Sequence, residues 1–329
     1  MNRVALAVLV VVLAVSGCST RLGGLPVPAT TIESEPAEEA ARTASNLLGD
    51  LAEFDPCSLT SPDVFAAFGQ ADWGVVDSLD YCSIDLAAGD DQILLTVGQL
   101  DDLVEHPNAP EIEELDDGLS IVQPEGGPGF CTMLLVFADK TTLEVTGSVL
   151  EGDAPVLCSI VGSGMDEVVR LVEAGEVGQR DPPDKSLQPI DPCTLIRDET
   201  VASRPGMSGA TRYEPPARHV CRWSASPGPQ AMTVRVLFRA GEPPSPSDPG
   251  ATEESIAGRK TIVTPMPDLG SISYCLVDAP HVEFESPGQE EGFVEIASVW
   301  VRAAPGQVDL ACQVAMTIAN EVWPLLPTP

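Results

Sequence analysis

Phe54-Asp55-Pro56-Cys57-Ser58-Leu59 returns later in the chain as Ile190-Asp191-Pro192-Cys193-Thr194-Leu195. In each occurrence a proline presets a turn at a cysteine, and the preceding aspartate is placed to accept hydrogen bonds from nearby backbone amides. The match extends outward from this motif. Tyr81-Cys82 answers Val220-Cys221, and Phe130-Cys131 answers Tyr274-Cys275. The segments opening at Cys158 and Cys312 align without a gap through Glu167 and Glu321, Val168 and Val322, and Leu171 and Leu325. The period is far longer than that of a solenoid repeat. The chain is therefore read as a tandem duplication of a whole domain.

Each copy carries the same coarse pattern. After the first Asp-Pro-Cys turn, Ser61-Pro62-Asp63 supplies an N-cap, a proline at the first helical position and an acid on the helix dipole, which predicts a short helix closing at Gly69. The counterpart at 198–203 carries a weaker signal and is read as a turn. Runs rich in β-branched residues follow: 93–97, 131–138 and 142–149 in the first copy, then 232–238, 281–285 and 293–301 in the second. These predict an antiparallel sheet. Val314, Ile318 and Val322 recur at helical spacing, so each copy is expected to end in a helix laid on its sheet. The fold class is α+β, twice.

A chain of 329 residues suits two domains of ordinary size. The expected layout is a leader at 1–18, a solvated tether at 19–45, a first domain at 46–180, a linker at 181–188 and a second domain at 189–329. The tether is rich in proline and acid and poor in large apolar residues. The linker contains Pro182-Pro183, through which neither a helix nor a central strand would run. The apolar run Val4 to Val15 is too short for a permanent span and has the size of a signal-peptide core. It ends in Val15-Ser16-Gly17-Cys18, which resembles the lipobox of bacterial lipoproteins. That resemblance implies cleavage before Cys18, diacylation of its sulfur and attachment to a membrane from the extracytoplasmic side; two acyl chains suffice for stable anchoring.

Eight cysteines remain: Cys57, Cys82, Cys131, Cys158, Cys193, Cys221, Cys275 and Cys312. An even number in an exported chain reads as disulfides. No closely spaced pair supports a zinc site, and no metal or cofactor is expected. Four cysteines per copy allow three pairings. First with second and third with fourth is favoured, because each such bond joins a segment at one end of a copy to a strand.

The Asp-Pro-Cys opening, the paired cysteines and the lipobox together resemble actinobacterial lipoproteins built on a domain of unknown function that begins with this motif. The layout is also similar to extracellular sensor domains of actinobacterial membrane kinases. The resemblance implies no catalytic residues. This chain has two such domains where one is usual, and Ser83-Ile84 in the first copy stands where the second has Arg222-Trp223.

Other chemistry is sparse. The nearest strings to a nucleophile elbow lack its spacing, and no phosphate loop or dinucleotide fingerprint is present. His106, His219 and His281 lie in unrelated settings and are read as structural or surface residues. The formal charge of -33, from 50 acids and 17 bases, argues against nucleic acid as a partner. Charge is uneven: 46–180 holds 27 acids and 3 bases, whereas 185–329 holds 17 acids and 11 bases. The acidic stretch 101–117 is read as a solvated loop. In the second copy Arg222, Arg235 and Arg239 form a candidate anion-binding set, against the plainer alternative of pairing with Glu283, Glu285 or Glu295. Trp223, Trp300 and Trp323 are read as core. The leading expectation is a non-catalytic, lipid-anchored envelope protein that binds a partner protein, an envelope component or a small ligand. An extracytoplasmic hydrolase without a recognisable motif is the alternative.

Overall fold

A computed structural model describes residues 41–329, apart from 107, 116–117, 226–230, 248, 270–271 and 288–291. The expected leader, Cys18 and nearly all of the expected tether lie outside the described residues.

The first copy opens with helix α1 (Ala44–Leu48) and two 3-10 turns, Pro56–Leu59 and Pro62–Phe65. It continues as strands β1 (Gln70–Trp73), β2 (Cys82–Ala88), β3 (Asp91–Asp102), β4 (Glu111–Glu114), β5 (Ser120–Val122), β6 (Phe130–Val136) and β7 (Thr141–Glu151), and closes with α2 (Leu157–Ala174). The second copy has a 3-10 turn at Pro192–Thr194 and helix α3 (Asp198–Ala202). Its strands are β8 (Thr211–Tyr213), β9 (Val220–Ser224), β10 (Thr233–Gly241), β11 (Thr252–Ile256), β12 (Arg259–Leu269), β13 (Ile272–Glu283) and β14 (Val294–Ala303), before α4 (Val308–Val322).

Both sheets are seven-stranded and antiparallel, in the orders β1-β2-β3-β7-β6-β5-β4 and β11-β12-β13-β14-β10-β9-β8. Read from the other edge, the second is the first with every strand advanced by seven. The registers agree as well: Cys82 faces Val97 as Cys221 faces Val236, and Cys131 faces Gly147 as Cys275 faces Val301. The duplication is thus visible residue by residue.

One face of each sheet is apolar because the pleat sends alternate residues to it, and a helix covers that face. Ile93, Leu95 and Val97 of β3 meet the buried stripe Leu157, Ile160, Val161, Val168 and Val172 of α2. Gly147 permits the close approach: a Cβ there would fall 2.8 Å from both Leu157 and Val161. In the second copy Val234, Val236 and Phe238 pack with Val314, Ile318 and Val322 of α4.

The repeated motif builds the same turn twice. The Cys57 amide donates to Asp55 Oδ1 at 3.1 Å, and the Cys193 amide donates to Asp191 Oδ1 at 2.7 Å. Ser58 and Thr194 each return a hydroxyl to the carbonyl of that aspartate, at 2.6 and 2.7 Å. Disulfides Cys57–Cys82 and Cys193–Cys221 tie the turns to β2 and β9, with Cα separations of 4.9 and 5.0 Å. Cys131–Cys158 and Cys275–Cys312 tie β6 and β13 to the N-terminal parts of α2 and α4.

The short helices differ from expectation. Ser61 makes no cap bond, and Pro62–Phe65 is a single 3-10 turn with Phe65 fully buried. Gly164 of α2 lies against the Phe65 ring, and β1 starts at Gln70, so no room is left for a second turn of helix. The α-helical turn sits instead in the second copy, where Asp198 and Glu199 favour the helix N-terminus. α1 starts inside the stretch expected as tether, capped by Thr43, with Ala44 buried in the first core. The acidic stretch is only partly loop: β4 is an edge strand with every residue exposed. A run of glutamates on an edge discourages pairing with other chains.

From residue 40 onward the copies form one compact unit. The loops preceding β2 and β9 are exchanged between them, with Leu79 packing in the second core and Ala217 in the first. Asp80 and His219 stand two residues before Cys82 and Cys221 and meet each other, His219 Nδ1 lying 2.6 Å from Asp80 Oδ1. Equivalent positions in contact are the mark of quasi-twofold packing. Arg180 holds the exchanged loop of its own copy, donating to the Leu79 carbonyl at 2.6 Å and lying 3.6 Å from Asp55, and it reaches across the seam to lie 5.6 Å from the ring centre of Phe284. The expected linker is free only in its first half, since Ser186, Leu187 and Gln188 are buried. All three donate to the buried carboxylate of Glu295, at 2.5, 2.6 and 2.9 Å.

Cys275–Cys312 closes a separation of 37 residues, and its loss is expected to cost about 3–4 kcal/mol by the loop-closure estimate. Chemical denaturation of Cys275→Ser/Cys312→Ser checks this. Unchanged stability would show that the strand-to-helix bond carries no load.

Candidate anion-binding pocket

The face of the second sheet turned away from α4 carries two rows of side chains across its strands. Along the first, Arg222 of β9 stands opposite Arg235 of β10, Arg235 opposite Trp300 of β14, and Trp300 opposite Leu276 of β13. The second runs Ser224, Thr233, Arg302, Tyr274 and Met266. These residues line a pocket of about 310 Å³. Strands β9 and β10 contribute its more polar half and β12 and β13 supply Met266, Leu276 and the phenol of Tyr274, with Arg302 and Trp300 between them.

Like charges directly opposite on neighbouring strands repel. Arg235 is exposed as a whole, yet desolvation of its guanidinium, followed by the nearness of Arg222 and Arg302, lowers its pKa. Among the described residues no carboxylate pairs with Arg235. Arg222 bonds Glu105 of the first copy at 2.9 Å and lies 4.5 Å from the ring centre of Tyr213. Arg302 reaches Thr233 Oγ1 at 3.3 Å and the Ala231 carbonyl at 3.4 Å, while its Nε is buried without an acceptor among the described residues. Three guanidinium groups thus converge with one carboxylate between them among the described residues.

The equivalent face of the first copy is an internal control. Its first row reads Ser83, Thr96, Thr146 and Thr132, and its second Asp85, Leu94, Ser148 and Phe130. Hydroxyls close it: Thr132 and Thr146 bond at 2.8 Å, and Thr146 donates to Glu144 at 2.6 Å. Burial raises the pKa of Glu144. Three arginines and a tryptophan in the second copy replace Ser83, Thr96, Ser148 and Thr146.

Of the three arginines singled out in the sequence, Arg222 and Arg235 line the pocket and Arg239 does not. Arg239 bonds Asp278 at 3.1 Å and Ser298 at 3.2 Å and lies 5.9 Å from the Trp300 ring centre. Its acid is Asp278, none of the three glutamates considered, because Glu295 is buried against the linker. Arg302 takes the third place. The alternation of β14 puts Trp300 and Arg302 on one face, a signal readable in Val294–Ala303 once the strand is assigned. Trp223 and Trp323 are core, whereas Trp300 lines the pocket.

The histidines are scattered. Buried His219 has Asp80 on one nitrogen and the Gln188 carbonyl on the other, at 3.1 Å. His281 has Nε2 at 2.7 Å from the Lys185 carbonyl, and burial lowers its pKa. His106 lies within the first copy's acidic stretch, its Nε2 buried without a partner among the described residues. Among the described residues no group of histidine, cysteine and acid is arranged to hold a metal. Asp101 and Glu105, from the acidic stretch, accept from Tyr213 and Arg222 of the second copy.

No protein-family model, curated protein or solved structure matches the chain.

A buried ion pair and a crowded, unpaired cation respond oppositely to truncation. Asp278→Ala is expected to destabilise by about 3 kcal/mol, since it strands a largely buried Arg239. Arg235→Gln should stay within about 0.5 kcal/mol of the parent or exceed it. Thermal and denaturant unfolding of the two variants checks the contrast, and a large loss for Arg235→Gln would assign that residue to the fold.

Proposed function

We propose that this chain is a lipid-anchored, extracytoplasmic envelope protein, non-catalytic, whose second copy binds an anionic ligand or envelope component. The observation that carries the binding reading is the convergence of Arg222, Arg235 and Arg302 with one carboxylate among them in the described residues, on a chain of formal charge -33. In so acidic a protein a cluster of underpaired cations is not a by-product of composition. The guanidinium fork of Arg235, unpaired among the described residues, is suited to carboxylate or phosphate.

The anchor reading rests on the lipobox ending at Cys18, and the Asp-Pro-Cys copies support kinship with the actinobacterial lipoproteins they resemble. The hydrolase alternative has less support. His219 does meet a carboxylate, but it is buried and its second nitrogen is held by a backbone carbonyl, so neither nitrogen faces a nucleophile. No helix among the described residues is long and apolar enough to cross a membrane.

Two experiments test this reading. Cys18→Ala is expected to move the protein from the membrane fraction to the soluble fraction or to stall its maturation, and unchanged fractionation with unchanged maturation would sink the anchor. Crosslinked envelope should yield a component captured by the parent and lost from Arg235→Gln/Arg302→Gln. Equal recovery by both would remove the pocket from the function.

A further inference from the structure

The proposed binding role leaves the ligand open, and the pocket's two halves narrow it. Arg222, Arg235 and Arg302 gather toward β9, β10 and β14, while Leu276 and Met266 line the opposite side and Trp300 lies between. An inorganic anion would meet the first half and leave the second wet. A neutral apolar molecule would cover the second and leave the guanidinium groups desolvated without a counter-charge, which is costly. The volume of about 310 Å³ sits at the low end of ligand-sized pockets.

We infer that the pocket takes a small organic acid, its carboxylate or phosphate head held by Arg235, Arg222 and Arg302 and its flat apolar body laid on Trp300 beside Leu276 and Met266. This rests on the anion-binding reading and sharpens it. The first copy's face, with hydroxyls in place of the arginines and Trp300, has neither half of such a site. The inference also assigns a role to Glu105. Its carboxylate already occupies Arg222 at 2.9 Å, from a half-exposed position on the first copy, so it is the ligand head's internal competitor. An incoming acid must displace Glu105 or share Arg222 with it.

The test is calorimetric titration of the full-length protein in nanodiscs of zwitterionic lipid with four probes: 2-naphthoate, 2-naphthyl phosphate, 2-naphthylmethanol and inorganic phosphate. Both naphthyl acids are expected to bind one to one, at least about tenfold more tightly than either the alcohol or inorganic phosphate, the scale of one charge-assisted hydrogen bond. Arg235→Gln should weaken the acids by about tenfold or more. Glu105→Gln should tighten them severalfold, an outcome that damage to the fold would not produce. Inorganic phosphate binding as tightly as the naphthyl acids would overturn the inference while sparing the anion-binding reading, and an alcohol binding as tightly would overturn it by removing the need for the head. Binding by none of the four would overturn both. Glu105→Gln leaving affinity unchanged or lower would remove the competitor.

Discussion

In each copy a disulfide welds the Asp-Pro-Cys turn to the second strand of the sheet, and much of the molecule is arranged around that weld. Cys221 shows the reach of the constraint. Two residues before it, His219 enters the seam between the copies; one residue after it, Arg222 enters the pocket. Because strand residues alternate faces, fixing Cys221 on the core side through Cys193 fixes Arg222 on the other. A slip of one residue would bury the arginine and expose the cysteine. The same logic at Cys82 sends Asp80 to the seam and places Ser83 on the equivalent face.

The two copies then carry different outer faces on one scaffold. The core faces stay alike, apolar strands under an apolar helix, because packing tolerates little change there. The opposite faces diverged. In the first copy hydroxyls bond one another across the strands, whereas in the second arginines stand beside arginine and tryptophan in an arrangement the fold alone does not favour. Placing like charges in register costs stability, and the absence of an acid beside Arg235 among the described residues makes that cost specific to the face. The first copy nevertheless touches this region, since Glu105 accepts from Arg222 at the pocket and Asp101 from Tyr213 beside it. The exchanged loops before β2 and β9 and the Asp80–His219 contact join the same two copies.

Much of the scaffold was legible from residues 54–59 and 190–195 and from what aligned around them. The aspartate-bonded turns, several of the long strands and the closing helices carry local signals: fixed turn chemistry, alternation or helical spacing; the cysteine count points to disulfides, but no local signal selects among the three pairings open to each copy. The short edge strands were not legible, and neither were β12 and most of β13, of which the run at 281–285 catches only the last residues. Gln70–Trp73, Glu111–Glu114 and Thr252–Ile256 are polar for their position, and a charged edge reads in sequence as a loop. The helix expected at Ser61-Pro62-Asp63 had its start signals but no room, a limit set by Phe65 against Gly164. The pocket was half legible. Alternation groups Arg235 with Arg239, but only register reveals that Arg239 has Asp278 to bond and that Arg302 lies beside Thr233 and Tyr274. A cross-strand row cannot be read from any one strand.

The central claim is that ligand recognition belongs to the diverged face of the second copy. The most direct measurement is a map of arginine side-chain and backbone amide chemical shifts in the full-length protein during titration with an aromatic carboxylate. The account predicts saturable shifts centred on Arg222, Arg235, Arg302 and Trp300, with Ser83, Thr96, Thr146 and Ser148 of the first copy unmoved. Shifts that spread evenly over the surface, fail to saturate, or centre on the first copy would contradict it.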